Sequence, residues 1–157
     1  MINKRFLISV ILAVIVTSVT DVSAQNNGNA LLERRYVGNV GFSVTPFLGI
    51  GADLFSSHGY CFGKGLWLGG GTGFSMLSPY DPFLPVFAEF KYTLITRSMV
   101  SPFVSAKAGF MTNFEDTVKI FNPALGIDID RFSVFASVNL LATGARTYSI
   151  GFYWNFR

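Results

Sequence analysis

Five polar residues carry the side chains that could do chemistry in this chain: Glu89, Lys91, Lys107, Asp128 and His58. Carboxylates and ammonium groups that meet inside a protein form ion pairs, because an isolated buried charge is expensive. A connected series of such groups can also carry protons or ions through a membrane. The chain has a single cysteine, Cys61, so it predicts no intramolecular disulfide and no zinc cluster. No cofactor or metal site is predicted.

The elements that must position these residues are β-strands, because large apolar residues alternate with small or polar ones along most of the chain after Tyr36. The alternation is clearest at the C-terminus, where large apolar residues fall on every second position and therefore share one face of a strand. These residues are Tyr148, Ile150, Phe152, Trp154 and Phe156. The segment also has about the ten residues that a tilted strand needs to cross a bilayer.

About eight segments follow this period of two, each of roughly ten residues, the size expected of membrane-spanning strands. They cover residues 36–45, 53–61, 66–77, 84–94, 101–114, 122–129, 132–141 and 147–156. The predicted fold is therefore an all-β, antiparallel up-and-down transmembrane β-barrel of about eight strands. The longer connections are too short for adhesive or receptor loops; they are 46–51, 78–83, 115–119 and 142–146.

The composition favours a membrane barrel over a soluble β-sandwich, which would show the same alternation. Hydrophobic residues make up 50% of the chain and charged residues only 13%, about half the charged fraction of average soluble domains. The polar faces are made of Gly, Ser and Asn with few charges, as a narrow barrel interior requires. From residue 25 onward 10 basic and 8 acidic residues leave a scattered net charge of +2, which argues against a nucleic-acid partner.

The N-terminal segment has the pattern of a secretory signal peptide. Lys4 and Arg5 precede an apolar run, and Val22-Ser23-Ala24 predicts cleavage after Ala24. An uncleaved membrane anchor is the alternative, but the apolar run is short for one. The predicted organisation is a signal peptide over residues 1–24, a polar leader over 25–35 and a barrel over 36–157 in the bacterial outer membrane.

Residue parity assigns the five polar residues to the inner face of the barrel. His58 is included although its strand, 53–61, is mixed on both faces and its phase is undecided. A hairpin centred near Ser98 places Glu89 opposite Lys107. We expect these two side chains to form an interior ion pair.

The predicted pair has Lys91 nearby and fills space left by Gly69 and Gly71 on the third strand. A structural plug is the simpler interpretation of this cluster, because an eight-stranded interior is only wide enough for side chains. A proton or ion path is the alternative.

Several aromatic residues share the inner parity: Trp67, Phe87, Phe103, Phe135 and Tyr153. Simple packing would account for them. A lumen that binds or passes a small hydrophobic molecule is the alternative.

The residue types of a lipid hydrolase are present as Ser56, Ser57, His58 and Glu89. Ser57 and His58 are neighbours and point to opposite faces, and Ser56 is only two residues from His58. No spacing matches a nucleophile motif, so the sequence predicts no enzyme.

Four segments together resemble the small outer-membrane β-barrel proteins common in Bacteroidetes: 57–62 (SHGYCF), 66–74 (LWLGGGTGF), 84–92 (LPVFAEFKY) and 101–110 (SPFVSAKAGF). The resemblance covers about half of the mature chain. It implies an eight-stranded barrel of the OmpX or OmpA transmembrane kind, with outer-membrane lipid and the outer-membrane assembly machinery as partners and no enzymatic role.

Barrels of this family end on an aromatic residue that the assembly machinery reads, which implies that the apolar face from Tyr148 to Phe156 is an assembly signal. Arg157 follows Phe156 and departs from that pattern. The predicted function is that of a monomeric barrel with a structural or envelope-maintenance role and a packed, charged interior. A conduit or binding protein for a small hydrophobic molecule is the alternative.

Overall fold

The computed structural model describes residues 34–46, 51–77, 82–95, 100–113 and 115–156. The predicted signal peptide, residues 25–33 of the predicted leader and Arg157 lie outside the described residues. Among the residues that are described, no helix is long and apolar enough to cross a membrane.

The strands form one closed antiparallel barrel, in which each strand pairs with its neighbours in sequence and the last pairs with the first. This confirms the predicted all-β, up-and-down architecture. The strands are β1 (Arg34–Thr45), β2 (Gly51–Gly63), β3 (Leu66–Leu77), β4 (Leu84–Thr93), β5 (Val100–Thr112), β6 (Thr117–Ile129), β7 (Phe132–Leu141) and β8 (Arg146–Phe156).

Five strands begin earlier than the sequence predicted, β1 and β6 among them. β1 begins at Arg34, so Arg34 and Arg35 belong to the barrel and not to the polar leader. β6 begins at Thr117, inside the predicted loop 115–119, because Val118 continues the ladder by pairing with Met111 of β5.

Tight turns join the strands at one end of the barrel. β2 joins β3 through Lys64 and Gly65, and β6 joins β7 through two residues that begin with Asp130. Lys64 and Asp130 both have φ 54° and Gly65 has φ 81°, the left-handed conformation that tight hairpin turns require. We call this the turn end; the first residue of β1 and the last of β8 lie there as well. The opposite end, where β7 joins β8, is the loop end.

The pairing register shows that the strands are strongly tilted relative to the barrel axis. Following paired residues from Gly38 through all the strands leads to Arg146 in β8, whereas Gly38 itself pairs with Phe156. The offset of ten residues between Arg146 and Phe156 corresponds to strands tilted by about 40°. Such a barrel has an interior only wide enough for side chains.

Large apolar side chains cover the outer face of the barrel. In β8 they alternate with buried residues: Tyr148, Ile150 and Phe152 are 57%, 58% and 48% exposed. β8 closes the barrel against β1, where Phe152 lies opposite Phe42 with ring centroids 6.0 Å apart. The C-terminal apolar face is therefore one part of a continuous apolar outer surface.

Candidate functional site

The half of the lumen near the turn end contains a buried ion pair between Lys91 of β4 and Asp128 of β6. Lys91 Nζ lies 2.7 Å from Asp128 Oδ1, and Asp128 is 3% exposed. The same carboxylate accepts hydrogen bonds from the Thr93 hydroxyl at 3.0 Å and the Ser133 hydroxyl at 2.5 Å. The ammonium also lies 4.0 Å from the centre of the Phe103 ring. Each charge is thus matched by partners inside the barrel, the usual condition for burying it.

A second carboxylate, Glu89, lies at mid-height and is 1% exposed. The Ser57 hydroxyl donates to its Oε2 at 2.8 Å, and the Tyr153 hydroxyl donates to its Oε1 at 3.2 Å. The two oxygens therefore both have hydroxyl donors. Ser57 and Tyr153 come from β2 and β8, so this network ties three strands together across the lumen.

The predicted ion pair between Glu89 and Lys107 does not form, although the two residues lie opposite each other as the hairpin register predicted. The carboxylate that forms an ion pair in the lumen is Asp128, and its partner is Lys91. The reason is the Phe55 ring of β2: Lys107 Nζ lies 3.6 Å above its centre. The phase of β2 was undecided from the sequence, so this competing cation–π contact could not be foreseen.

The inward glycines make room for aromatic rings rather than for the charged cluster. A Cβ on Gly69 would lie 2.6 Å from the ring of Trp67, and one on Gly71 would lie 2.8 Å from the Phe87 ring. The expectation that charges occupy this space is wrong. The rings predicted on the inner face do lie there, exposed by 6% or less: Trp67, Phe87, Phe103, Phe135 and Tyr153.

A compact apolar cluster of Val37, Cys61 and Trp67 fills the lumen at the turn end. Cys61 is fully buried and Trp67 is 5% exposed. The Trp67 indole donates a hydrogen bond to the Val37 carbonyl oxygen at 3.3 Å, which satisfies its buried N–H. Side chains therefore occupy the lumen from this end up to the level of Glu89.

The half of the lumen near the loop end encloses a cavity of about 410 Å³. Phe55, Phe87, Phe135 and Lys107 line its floor, and the exposed residue Ala145 lines its upper rim. One wall, formed from β4 to β7 and the segment before β4, is apolar; it consists of Phe83, Pro85, Met111, Val118, Ile120 and Leu141. The volume falls in the range of small-molecule sites.

The facing wall of the cavity is polar and contains one carboxylate, Asp53 of β2. The Ser43 hydroxyl donates to its Oδ2 at 2.8 Å and the Ser75 hydroxyl to its Oδ1 at 2.5 Å. On the same wall the Asn139 amide donates to Ser149 Oγ at 2.8 Å and to Thr147 Oγ1 at 3.1 Å. These polar groups largely satisfy one another.

Sequence reasoning missed several residues of this cavity, among them Asp53, Phe55, Val118 and Ile120. Asp53 and Phe55 were missed because the phase of β2 was undecided. Val118 and Ile120 were missed because the predicted strand begins at residue 122, five residues after the first residue of β6. Their alternation with Asn122 was the available signal, since all three residues lie on the inner face of β6.

The assignment of His58 to the lumen is wrong, because β2 has the opposite phase. Phe55 and Ser57 point inward, so His58 points outward and lies opposite Gly38 and Gly70. Its Nδ1 lies 2.6 Å from the Tyr36 hydroxyl and its Nε2 lies 3.0 Å from Ser56 Oγ. Both ring nitrogens therefore have partners on the outer face.

The described residues contain no group of three or more His, Cys, Asp or Glu side chains that could hold a metal ion. The inward carboxylates are instead distributed along the barrel at Asp53, Glu89 and Asp128. Each carboxylate accepts hydrogen bonds from serine, threonine or tyrosine hydroxyls.

No protein-family model and no curated protein matches this chain. Among solved structures, the N-terminal β-barrel domain of OprF from Pseudomonas aeruginosa is similar, with a TM-score of 0.52 and 15% identity over 79% of this chain and 100% of that domain. A barrel from the de novo design of transmembrane β-barrels has a TM-score of 0.49 and 14% identity over 76% of this chain and 93% of the designed one. At 15% identity the likeness to the OprF domain shows the fold alone, that of an eight-stranded transmembrane β-barrel.

Proposed function

We propose that this protein is an outer-membrane β-barrel of the small kind common in Bacteroidetes, and that it binds a small, mainly apolar molecule at the loop end of its lumen. The cavity of about 410 Å³ carries this proposal. A conduit and a binding protein were both predicted as alternatives to a structural role. Because the turn end of the lumen is filled, a binding protein is favoured over a conduit.

Membrane insertion is supported by the outer face. Its side chains are apolar around the barrel, and a surface of this kind in water would be an aggregation site. At a tilt of about 40°, strands of this length rise by roughly 25–30 Å, the thickness of a hydrocarbon core. The predicted signal peptide supports export.

The location and the closed lumen are tested together. Membrane fractionation and heat-modifiability on a detergent gel are expected to place a folded barrel in the outer membrane. In planar lipid bilayers the purified protein is expected to show no conductance above that of protein-free bilayers. Stable ion conductance would show that the lumen is a conduit, and a soluble, heat-unmodifiable protein would refute the barrel in the membrane.

A structural role in the envelope is the second candidate, and the hydrogen-bonded filling of the turn end favours it, because such a network rigidifies a barrel. Deleting the gene is then expected to increase sensitivity to detergents. An Ala145→Trp variant, which fills the rim of the cavity, separates the two candidates. Full rescue by this variant would assign the phenotype to the structural role, and loss of rescue would assign it to binding.

We infer no catalytic role. Ser56 and His58 are in hydrogen-bond contact, but Ser56 is 3% exposed and its hydroxyl also lies 3.3 Å from the Asn39 carbonyl oxygen. A nucleophile so enclosed cannot reach an ester. Release of fatty acid from phospholipid vesicles by wild-type protein, abolished by His58→Ala, would prove this inference wrong.

We further propose that the protein is a monomer surrounded by lipid and that the assembly machinery recognises the outer face of β8. The apolar residues from Tyr148 to Trp154 support this, since they remain exposed on the barrel surface. A Phe152→Ser variant is expected to reach the outer membrane in reduced amounts. The control is Val134→Ser, which changes the outer face of another strand. The difference between the amounts of the two variants in the outer membrane measures the specific contribution of β8 to assembly.

A further inference from the structure

Lys107 has an unusual position among the interior charges. It forms part of the cavity floor and is 7% exposed. Its ammonium lies over Phe55 at 3.6 Å and near the rings of Phe87 at 5.0 Å and Tyr153 at 5.1 Å. The Phe135 ring lies at 5.7 Å. Within the described part of the chain no carboxylate lies within ion-pair distance of Lys107, although the charges of Glu89 and Asp53 act on it from farther away.

The interior carboxylates and Lys91 have different partners. Both oxygens of Glu89 accept from hydroxyls, both oxygens of Asp53 do the same, and Asp128 binds Lys91. None of these carboxylates lies within ion-pair distance of the Lys107 ammonium. The cation is thus left with aromatic faces, which attract its charge but accept no conventional hydrogen bond.

A lysine ammonium has three N–H donors and no acceptor, so it requires oxygen acceptors when it is removed from bulk water. Because Lys107 lines the cavity, an acceptor can approach it from that side. A carboxylate is the strongest small acceptor for this purpose, since charge-assisted hydrogen bonds are about twice as strong as neutral ones.

The remaining cavity surface defines the rest of the ligand. The wall formed by Phe83, Pro85, Met111, Val118, Ile120 and Leu141 offers no charged group, so it suits a hydrocarbon or aromatic body. At about 30 Å³ per water-sized atom, the cavity holds roughly a dozen non-hydrogen atoms. Asp53 on the opposite wall repels a second negative charge.

We propose that the cavity binds a small monocarboxylate with an apolar body, its carboxylate on Lys107 at the floor and its body against the apolar wall. This inference rests on the proposed binding function and adds to it the chemical class and the orientation of the ligand.

The test uses the whole barrel in lipid nanodiscs, with methionines carrying ¹³C-labelled methyl groups. Met111 lines the cavity, whereas Met76 is 53% exposed on the outer face and reports non-specific partition into lipid. The probes are 4-phenylbutyrate and its neutral analogue 4-phenylbutan-1-ol, each of roughly a dozen non-hydrogen atoms. The variants are Lys107→Met and, as a control with the same change in net charge, Lys119→Met on the outer face of β6.

We expect 4-phenylbutyrate to shift the Met111 signal more strongly than Met76 in the wild type and in Lys119→Met. Its affinity is expected to exceed that of the alcohol by roughly tenfold or more and to fall by a similar factor in Lys107→Met. The comparison of the two probes on wild-type protein does not depend on how well the variant folds.

The outcomes separate the two proposals. If the alcohol and the acid bind equally well and Lys107→Met changes neither affinity, the cavity binds ligands but the carboxylate inference is wrong. If neither probe shifts Met111 beyond Met76, the binding function itself is refuted. Higher affinity for the protonated acid at low pH than for the carboxylate would also overturn the inference.

Discussion

The two halves of the lumen differ in how they are filled and in how they accommodate a buried lysine. Near the turn end, Lys91, Asp128 and the rings of Phe103 and Trp67 fill the space. Near the loop end, the same strands leave a cavity of about 410 Å³ with Lys107 at its floor. Both halves bury a lysine, but the ammonium of Lys91 has a carboxylate partner and that of Lys107 rests on aromatic rings.

One half is filled and the other contains a cavity because aromatic rings and glycines are distributed differently along the inner face. In the filled half, an inward glycine lies beside a large ring, as Gly126 does beside Phe103. In the cavity half such ring and glycine pairs end at the floor, and the inward residues above it include ones of intermediate size, such as Val118 and Thr147. Side chains of intermediate size cannot reach the axis of the barrel, so a void remains.

The largest expected effect is on the stability of the filled half. Asp128→Ala removes the acceptor for Lys91, Thr93 and Ser133. We expect it to lower the free energy of unfolding by about 3–5 kcal/mol, because it leaves the buried charge of Lys91 without its carboxylate partner. Asp53→Ala is the matched control on the cavity wall, where we expect about 1 kcal/mol. Urea unfolding in lipid vesicles measures both, and equal losses would remove the distinction between the halves.

An intermediate effect is expected from packing in the filled half. A methyl group at Gly126 would lie 2.4 Å from both the Phe103 ring and the Val134 carbonyl oxygen. Gly126→Ala should therefore cost about 1–3 kcal/mol. For Gly70 on the outer face, a methyl would meet only the Phe87 carbonyl oxygen at 3.2 Å, and we expect Gly70→Ala to change stability by at most about 0.5 kcal/mol. Similar midpoints of urea unfolding for the two variants would contradict tight packing at Gly126.

The smallest effect on stability is expected at the rim of the cavity. Ala145→Trp places a large ring over space that is already void, so the unfolding free energy should stay within about 0.5 kcal/mol of wild type. The same variant should weaken 4-phenylbutyrate binding by roughly tenfold, as followed through the Met111 methyl signal. A stable variant with unchanged affinity would mean that ligands enter by another route.

The parity of apolar residues was enough to predict the number of strands, their order and most inward side chains. Phe87, Phe103, Phe135 and Tyr153 could be placed in this way because an alternating strand has only two faces. The β4–β5 register was also predictable, since one hairpin connects the two strands. It correctly placed Glu89 opposite Lys107.

Parity failed where a strand has two similar faces. In β2 both faces contain polar and aromatic residues, so the outward position of His58 and the inward positions of Asp53 and Phe55 were decided by pairing with β1 and β3. A shift of one residue moves every side chain to the other face. Only the tertiary register removes that ambiguity.

By itself, the sequence determined that this chain closes into an eight-stranded barrel with an apolar exterior, because the period of two and the aromatic face of β8 allow few other solutions. The tertiary structure decided which charges meet. Lys91 and Asp128 are 37 positions apart and lie on strands that do not pair, so their contact crosses the lumen and depends on the tilt and radius of the closed barrel. The same geometry left Lys107 facing the cavity, where we propose that a carboxylate binds.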